Sequence, residues 1–346
     1  MPKTNNSSKQ ETTTGLDIGS YSIKCVEMTR GSDKFELKRV SILPVNSNSP
    51  ESVTKVLKLI FDQQILTSRR IRISVSGGGS SLLIRRIQLP VMTLADLRGA
   101  IRFEAEGHIP FPIDDCQIDF QILNQTPDKK SMNVILAAAK KDFIKERLKQ
   151  VAALNIAPEL IDVDIFCLIN AYEVLGQTAG ESTFGLLNIG HRVSSFAIVQ
   201  DKLPFFVREI PFGALGITQE LMQSKGIPDA DADRLKMERN PESEQELKAA
   251  VMKGLEPLID EMRHSIDYVE NEMGDELKTI WLSGGGALCP GTAQTLTEEL
   301  GKQVSLWDNT KRMEVFGDID HQFLAAHSAE LNVALGMVLR GVGGKK

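Results

Sequence analysis

The chain is poor in cysteine, and its four, Cys25, Cys116, Cys167 and Cys289, lie far apart with no C-x-x-C pair. Its five histidines, His108, His191, His264, His321 and His327, show no metal-ligand spacing. These absences argue against a zinc site and against a disulfide framework. Long apolar runs are also missing. No segment approaches the roughly 18 apolar residues of a membrane span. The polar start MPKTNNSSKQETTT has no apolar core of a secretory leader. The expectation is a protein of the reducing cytoplasm with no direct membrane insertion. Basic charge is not concentrated either: 40 Lys and Arg stand against 46 Asp and Glu, a net charge of -6, with no basic stripe. Binding to nucleic acid through bulk charge is therefore excluded. Finally, no G-x-x-x-x-G-K-[ST] occurs, and neither SGGGSS nor SGGGALCPG matches G-x-G-x-x-G, so P-loop and Rossmann readings fail.

The 346 residues, 42% of them hydrophobic, suffice for two domains with substantial cores. Residues 1–14 have nothing to bury and read as a disordered tail. From Gly15, GLDIGSYSIKCVEMTRG reads as strand, tight turn and strand, and FELKRVSILPV adds a third, giving an antiparallel meander. ESVTKVLKLIFDQQI puts Val53, Val56, Leu57 and Ile60 on one helical face. A first lobe is read over 15–178, with an insertion over about 89–153 that a helix from Lys141 to Leu154 closes. A second lobe is read over 179–324, with a smaller subdomain over about 221–278. Residues 325–346 are read as a C-terminal helix returning to the first lobe.

The second lobe restarts the grammar of the first. FGLLNIGHRVSSFAIVQ repeats strand, x-I-G turn with Ser nearby, and strand, about 170 residues after GLDIGSYSIKCVEM. The recurrence predicts two related halves facing each other. Two glycine turns in a shared cleft can offer backbone N–H groups to phosphate, because a Cβ would hold the chain away. In the first turn Asp17 would face a hydrated Mg2+, with Gly19, Ser20, Tyr21 and Ser22 along the phosphates and Lys24 adding a point charge. Taken alone, this stretch reads equally well as an ordinary hairpin. LSGGGALCPG supplies a strand, three glycines and a helix start at Pro290, a flat shelf for adenine and ribose, or simply a close strand-to-helix turn. Taken in order, the two turns, the shelf and the final small-residue helix favour nucleotide binding.

These residues resemble the actin, sugar-kinase and heat-shock-chaperone ATPase superfamily. Within it they are most similar to the type IV pilus assembly protein PilM family, related to the division protein FtsA. The resemblance rests on GLDIGSYSIKCVEM, LPVMTLADLRGAIRFEAEGHIPFPIDDCQIDFQIL, IDVDIFCLINAYE, LSGGGALCPGTAQTLTEELGKQVSLWDN and LNVALGMVLRG. It covers about residues 15–343, and IRFEAEGHIPFPIDD is its most family-specific part. It implies an α/β, actin-like (ribonuclease H-like) two-lobe fold of mixed sheets with flanking helices and a PilM/FtsA-type insertion, with ATP and Mg2+ in the cleft. The second phosphate loop resembles Asn188 to Ser194, with Gly190, and the shelf resembles Ser283 to Ala287, with Gly284, Gly285, Gly286 and Ala287. ADRLK resembles the helix at the ribose and adenine edge, which gives Asp233 and Lys236 that role. Asp164 falls where a connecting segment nears the metal, or is a strand-end charge.

One departure stands out. Relatives usually begin the second phosphate loop with Asp, and here Asn188 offers a neutral amide on the metal side. His191 and Arg192 are also unusual, and the Arg can neutralise phosphate. ATP binding with at most weak hydrolysis is therefore expected. The resemblance further implies a scaffold, peripheral to the inner membrane through a protein, that grips the N-terminal cytoplasmic tail of a PilN-type membrane protein near the insertion. A pilus motor ATPase and a second copy of the chain are further partners it allows. The alternatives are an FtsA-like cytoskeletal homologue, for which an amphipathic membrane helix would be expected after the last lobe helix, and a degenerate scaffold independent of nucleotide.

Overall fold

Three threonines open the first sheet. Thr13 and Thr14 are buried and pair with Met28 and Glu27, so strand β1 runs Thr12–Ile18 and begins before the expected Gly15. β-Branched residues suit a pleated, covered surface, and that draws these three out of the expected tail. This is seen in a computed structural model that describes residues 12–30, 35–45, 49–62, 70–77, 80–176, 181–237, 244–316 and 319–341. The rest of the expected tail lies outside the described residues.

Strands β2 (Ser22–Arg30) and β3 (Phe35–Pro44) complete the predicted antiparallel meander. Helix α1 (Pro50–Asp62) leads to β4 (Arg70–Val75), which joins β1 in parallel, and β8 (Leu160–Val163) joins β4 in parallel. The second lobe repeats the plan. β9 (Thr183–Ile189), β10 (Ser194–Gln200) and β11 (Leu203–Ile210) form an antiparallel meander, and β12 (Thr279–Ser283) and β13 (Gln303–Leu306) follow in parallel. The sheet orders are β3-β2-β1-β4-β8 and β11-β10-β9-β12-β13, the same path twice, with β14 (Glu314–Val315) added beside β3. The predicted pair of related halves is therefore present. Because β14 belongs to the first sheet, the second lobe does not run unbroken to 324.

Two apolar helices stand between the sheets. Helix α4 (Asp164–Leu175) and helix α10 (Asn332–Leu339), the latter buried at all eight positions, share one core with β2, β9 and β10. Their approach is close enough that a Cβ on Gly336 would stand 1.8 Å from the Cys167 carbonyl oxygen, which only glycine permits. Helix α10 also packs on β1, β2 and β4 of the first sheet.

The insertion is drawn differently from the reading over 89–153. Strand β5 (Leu82–Pro90) pairs along its whole length with β7 (Ser131–Lys140), and β6 (Cys116–Gln125) lies on β7's other side. With helix α2 (Leu94–Glu106), capped by Thr93 at 3.2 Å from the Asp96 N–H, they form a unit over Leu82–Lys140 whose own core includes Leu97, Ile101, Met132 and Leu136, while Leu82, Ile84 and Ile135 join the core between the lobes. Helix α3 (Lys141–Ala152) belongs instead to the first lobe, where Val151 packs with Val53, Val56 and Leu57 of α1. The smaller subdomain expected over 221–278 shares its core with the second sheet. Leu221 of α5 (Leu215–Lys225) and Leu247, Val251 and Leu255 of α7 (Glu244–Met273) pack with Phe196 and Leu282.

Candidate functional site

Register across the sheets builds a polar row at the end of each. Across β2, β1 and β4, Lys24, Asp17 and Ser74 lie side by side. Across β10, β9 and β12, the matching row is Ser195, Asn188 and Ser283, and Glu209 of β11 stands next to Ser195. Beyond each row the chain turns on glycine. A Cβ at Gly19 would stand 2.8 Å from the Ser22 carbonyl oxygen, and one at Gly190 would stand 2.5 Å from that of Val193. The second turn is braced from outside: Ala214 and Leu215, at the start of α5, donate their N–H groups to Gly190 O at 2.9 Å and His191 O at 2.8 Å.

The charges are unevenly divided. Lys24 Nζ lies 3.2 Å from Asp17 Oδ2, with both side chains largely buried. Burial works to lower the Lys24 ammonium, but Asp17 and then Glu330 outweigh it and hold it above the ordinary lysine range. Lys24 is therefore committed to Asp17. Asp164, first residue of α4, is 8% exposed, and its Oδ1 has no hydrogen-bond partner. Burial first, then the charges of Asp17 and Glu209, push its carboxyl up to about 8. Glu209 reaches the first lobe, accepting the Gly77 N–H at 2.9 Å. Among the described residues no group of three or more His, Cys, Asp or Glu side chains is arranged to hold a metal ion.

The other flank gathers Tyr21, His191, Asp233 and Lys236. On helix α6 (Asp229–Met237), Lys236 donates to Asp233 at 2.6 Å and to Thr218 at 2.7 Å, and Thr218 donates to Asp233 at 2.8 Å. Burial would raise the Asp233 carboxyl, but Lys236 and Thr218 hold it below the usual range. His191 is pulled down to about 4 by burial and then by Lys236, so its imidazole is neutral near pH 7. Ser22 is buried at the start of β2, whereas Arg192 is exposed at the tip of the second turn and Ser20 is half-buried in the first.

The shelf abuts the second turn. Gly284 has φ +90°, and a Cβ there would stand 2.4 Å from Ile189 O and 2.7 Å from Asn188 Oδ1, so glycine is required twice over. After it the chain makes a tight 3-10 turn over Gly285–Leu288, and helix α8 starts at Thr292 (Thr292–Leu300), not at Pro290. Gly285 faces Glu330, at 3.5 Å from the position of its Cβ, and Gly286 packs on Ile189. The Ala287 side chain points into the second lobe's core, so it can offer a ligand only its backbone. Ser283 Oγ and the Gly284 N–H both donate to Ala329 O at 2.8 Å, which ties the shelf to the segment entering α10.

A second concavity, of about 810 Å³, lies between the insertion, β8, α4 and the β10–β11 turn. Its lining includes Leu82, Ile135, Ile161 and Phe166, with Gln117, Asp119 and Gln121 of β6 on the same sheet face as Ile135, and β6 along its wall is an edge strand. At its rim Arg340 pairs with Asp162.

Three contributors escaped the sequence reading: Glu209, Glu330 and Thr218. Each lies in an ordinary strand or helix with no motif around it, and only register and packing bring it to the cleft. The doubled sheet order, the facing glycine turns and the helices between the lobes define an actin-like ATPase fold. A solved structure described as the PilM-PilN type IV pilus biogenesis complex is similar to this chain with a TM-score of 0.82 and 24% identity, covering 95% of this chain and 98% of that one. The ethanolamine utilization protein EutJ from Carboxydothermus hydrogenoformans follows at TM-score 0.53 and 15% identity, over 95% of this chain and 90% of that one. The type IV pilus assembly protein PilM family matches residues 15–342, and the chain belongs to that family.

Proposed function

We propose that the chain is an ATP-binding platform of a type IV pilus assembly complex, holding the N-terminal cytoplasmic segment of a PilN-type membrane protein. The observation that carries the nucleotide part is the pair of glycine turns at matching ends of two sheets of the same order. Gly19, Ser20 and Ser22 from one side, and Gly190 and Arg192 from the other, would hold phosphates. Asp233 and Lys236 would meet the ribose, and the backbone of Gly284, Gly285 and Gly286 the base. The acids present fit Mg2+ only as outer neighbours: Asp17 is paired with Lys24, and Asn188 is neutral. The metal would arrive with the phosphates and supply charge neutralisation there. Binding with little turnover follows.

The partner part rests on the concavity beside the insertion. It joins an apolar floor to the free edge of β6, a combination that suits an extended segment adding its backbone to the sheet. α4 packs against this groove at Phe166 and carries Asp164 of the cleft at its start, so lobe closure by nucleotide would alter both. Such a platform works on the cytoplasmic face of the inner membrane, held there by its partner. Among the described residues no helix is long and apolar enough to cross a membrane. Calorimetry of Mg-ATP binding, with and without a synthetic PilN-type N-terminal peptide, tests this. The expected result is ATP binding and a peptide affinity that changes about fivefold or more with nucleotide. A peptide affinity indifferent to bound nucleotide would leave a constitutive platform and remove the switch.

A further inference from the structure

Tyr21 sits at the tip of the first turn, yet its ring is turned onto the opposite lobe. Its centroid is 5.1 Å from that of His191, with the planes 37° apart. Lys236 Nζ lies 5.6 Å from the same ring. Burial, then the charge of Asp233 and hydrogen bonding to it, hold the phenol above the ordinary tyrosine value. His191 belongs to the second turn, and Asp233 and Lys236 to α6. One first-lobe side chain therefore stands against His191 of the second turn and Lys236 of α6, beside Asp233. Tyr21 is still 43% exposed, so its contacts are modest and reversible.

We propose that Tyr21 is an internal competitor of the nucleotide: without ATP it occupies the ribose and phosphate contacts of the second lobe and holds the lobes together, and ATP must displace it. This rests on the nucleotide reading above. The physical reason is limited capacity. Asp233 already accepts from Lys236 and Thr218, and Lys236 already donates to Asp233 and to Thr218. A bound ribose and a docked Tyr21 would claim the same remaining lone pairs and the same face of α6. A binding-competent state that must first release Tyr21 lowers the apparent affinity by its own population. Tyr21 thereby sets how much ATP is needed to move the lobes.

The test uses the full chain as parent, Tyr21→Ser and Tyr21→Phe, with His191→Ala as a variant made from the other lobe. Hydrogen exchange without nucleotide is measured over 188–195 and 229–237, and Mg-ATP affinity by calorimetry. Removing a ring that makes an aromatic and a cation–π contact should tighten ATP binding by about tenfold in Tyr21→Ser. Tyr21→Phe should fall between it and the parent. Exchange in both segments should rise in Tyr21→Ser and in His191→Ala while the melting temperature stays within a few degrees. If the parent binds ATP and Tyr21→Ser binds it no better, Tyr21 is a ligand or a bystander and the competition is overturned. If neither binds ATP, the nucleotide reading has failed. Exchange then judges the clamp alone, raised values supporting it and unchanged values overturning it.

Discussion

In the first lobe the glycine turn is flanked by a full charge pair, Asp17 opposite Lys24 at 3.2 Å, while the same register in the second lobe sets Asn188 opposite Ser195. At the first turn Val45 donates its N–H to Tyr21 O at 2.8 Å and the Tyr21 ring reaches His191 across the cleft; the second turn accepts two N–H groups from the start of α5. The glycine-turn frame, which in the proposed function presents backbone N–H groups to phosphate, is common to both. The charges that could order a metal and a water lie almost wholly in the first lobe, with Glu209 reaching across from the edge of the second. Under the proposed function, phosphate binding and phosphate chemistry would be separable, because one needs turn geometry and the other needs carboxylates in register.

Breaking the charged turn should have the largest effect. Asp17→Asn leaves the Lys24 ammonium largely buried without its carboxylate, and should cost about 3 kcal/mol, seen as a lowered denaturation midpoint. Asn188→Ser, the neutral counterpart, should cost much less. Asp164 comes next. Its folded value of about 8 lies above the unfolded 3.8, so between them the native state binds a proton that the unfolded chain lacks. Stability on its account falls as pH rises through that window. Asp164→Asn should therefore add about 2 kcal/mol near pH 8 and little near pH 4, read from urea melts across pH. The smallest effect is opposite in sign and belongs to the second turn. His191 has a folded value of about 4 against 6.5, so its contribution is present above 6.5 and lost as pH falls toward 4. His191→Gln should flatten that acid-side loss by about 1 kcal/mol in the same melts.

Much of the frame was legible because it is local. D-I-G-S and N-I-G-H, the alternating strands around them, and the apolar runs of α4 and α10 each carry their signal within a few residues. What was not legible depends on pairing between distant segments. The start of the insertion at Leu82 follows from β5 pairing with β7, about 50 residues later in the chain. Arg86 stacks on Phe205 at 4.2 Å and pairs with Glu272 at 3.7 Å, joining the insertion to the second lobe. Asp17 lies near the end of β1, Gly19 in the turn after it, and Gly284 directly after β12. The engagement of Lys24 by Asp17, the arrival of Glu209 from β11 and the contact of Tyr21 with His191 arise from register and lobe closure, which a single sequence does not encode locally.

The most direct test measures Mg-ATP binding and phosphate release together, in the parent chain and in Asn188→Asp. The expected result is ATP binding in both, negligible release by the parent, and release raised about tenfold or more by the restored carboxylate. Rapid release by the parent, or an Asn188→Asp variant that binds ATP yet releases no more phosphate than the parent, would contradict the separation of binding from chemistry between the two turns.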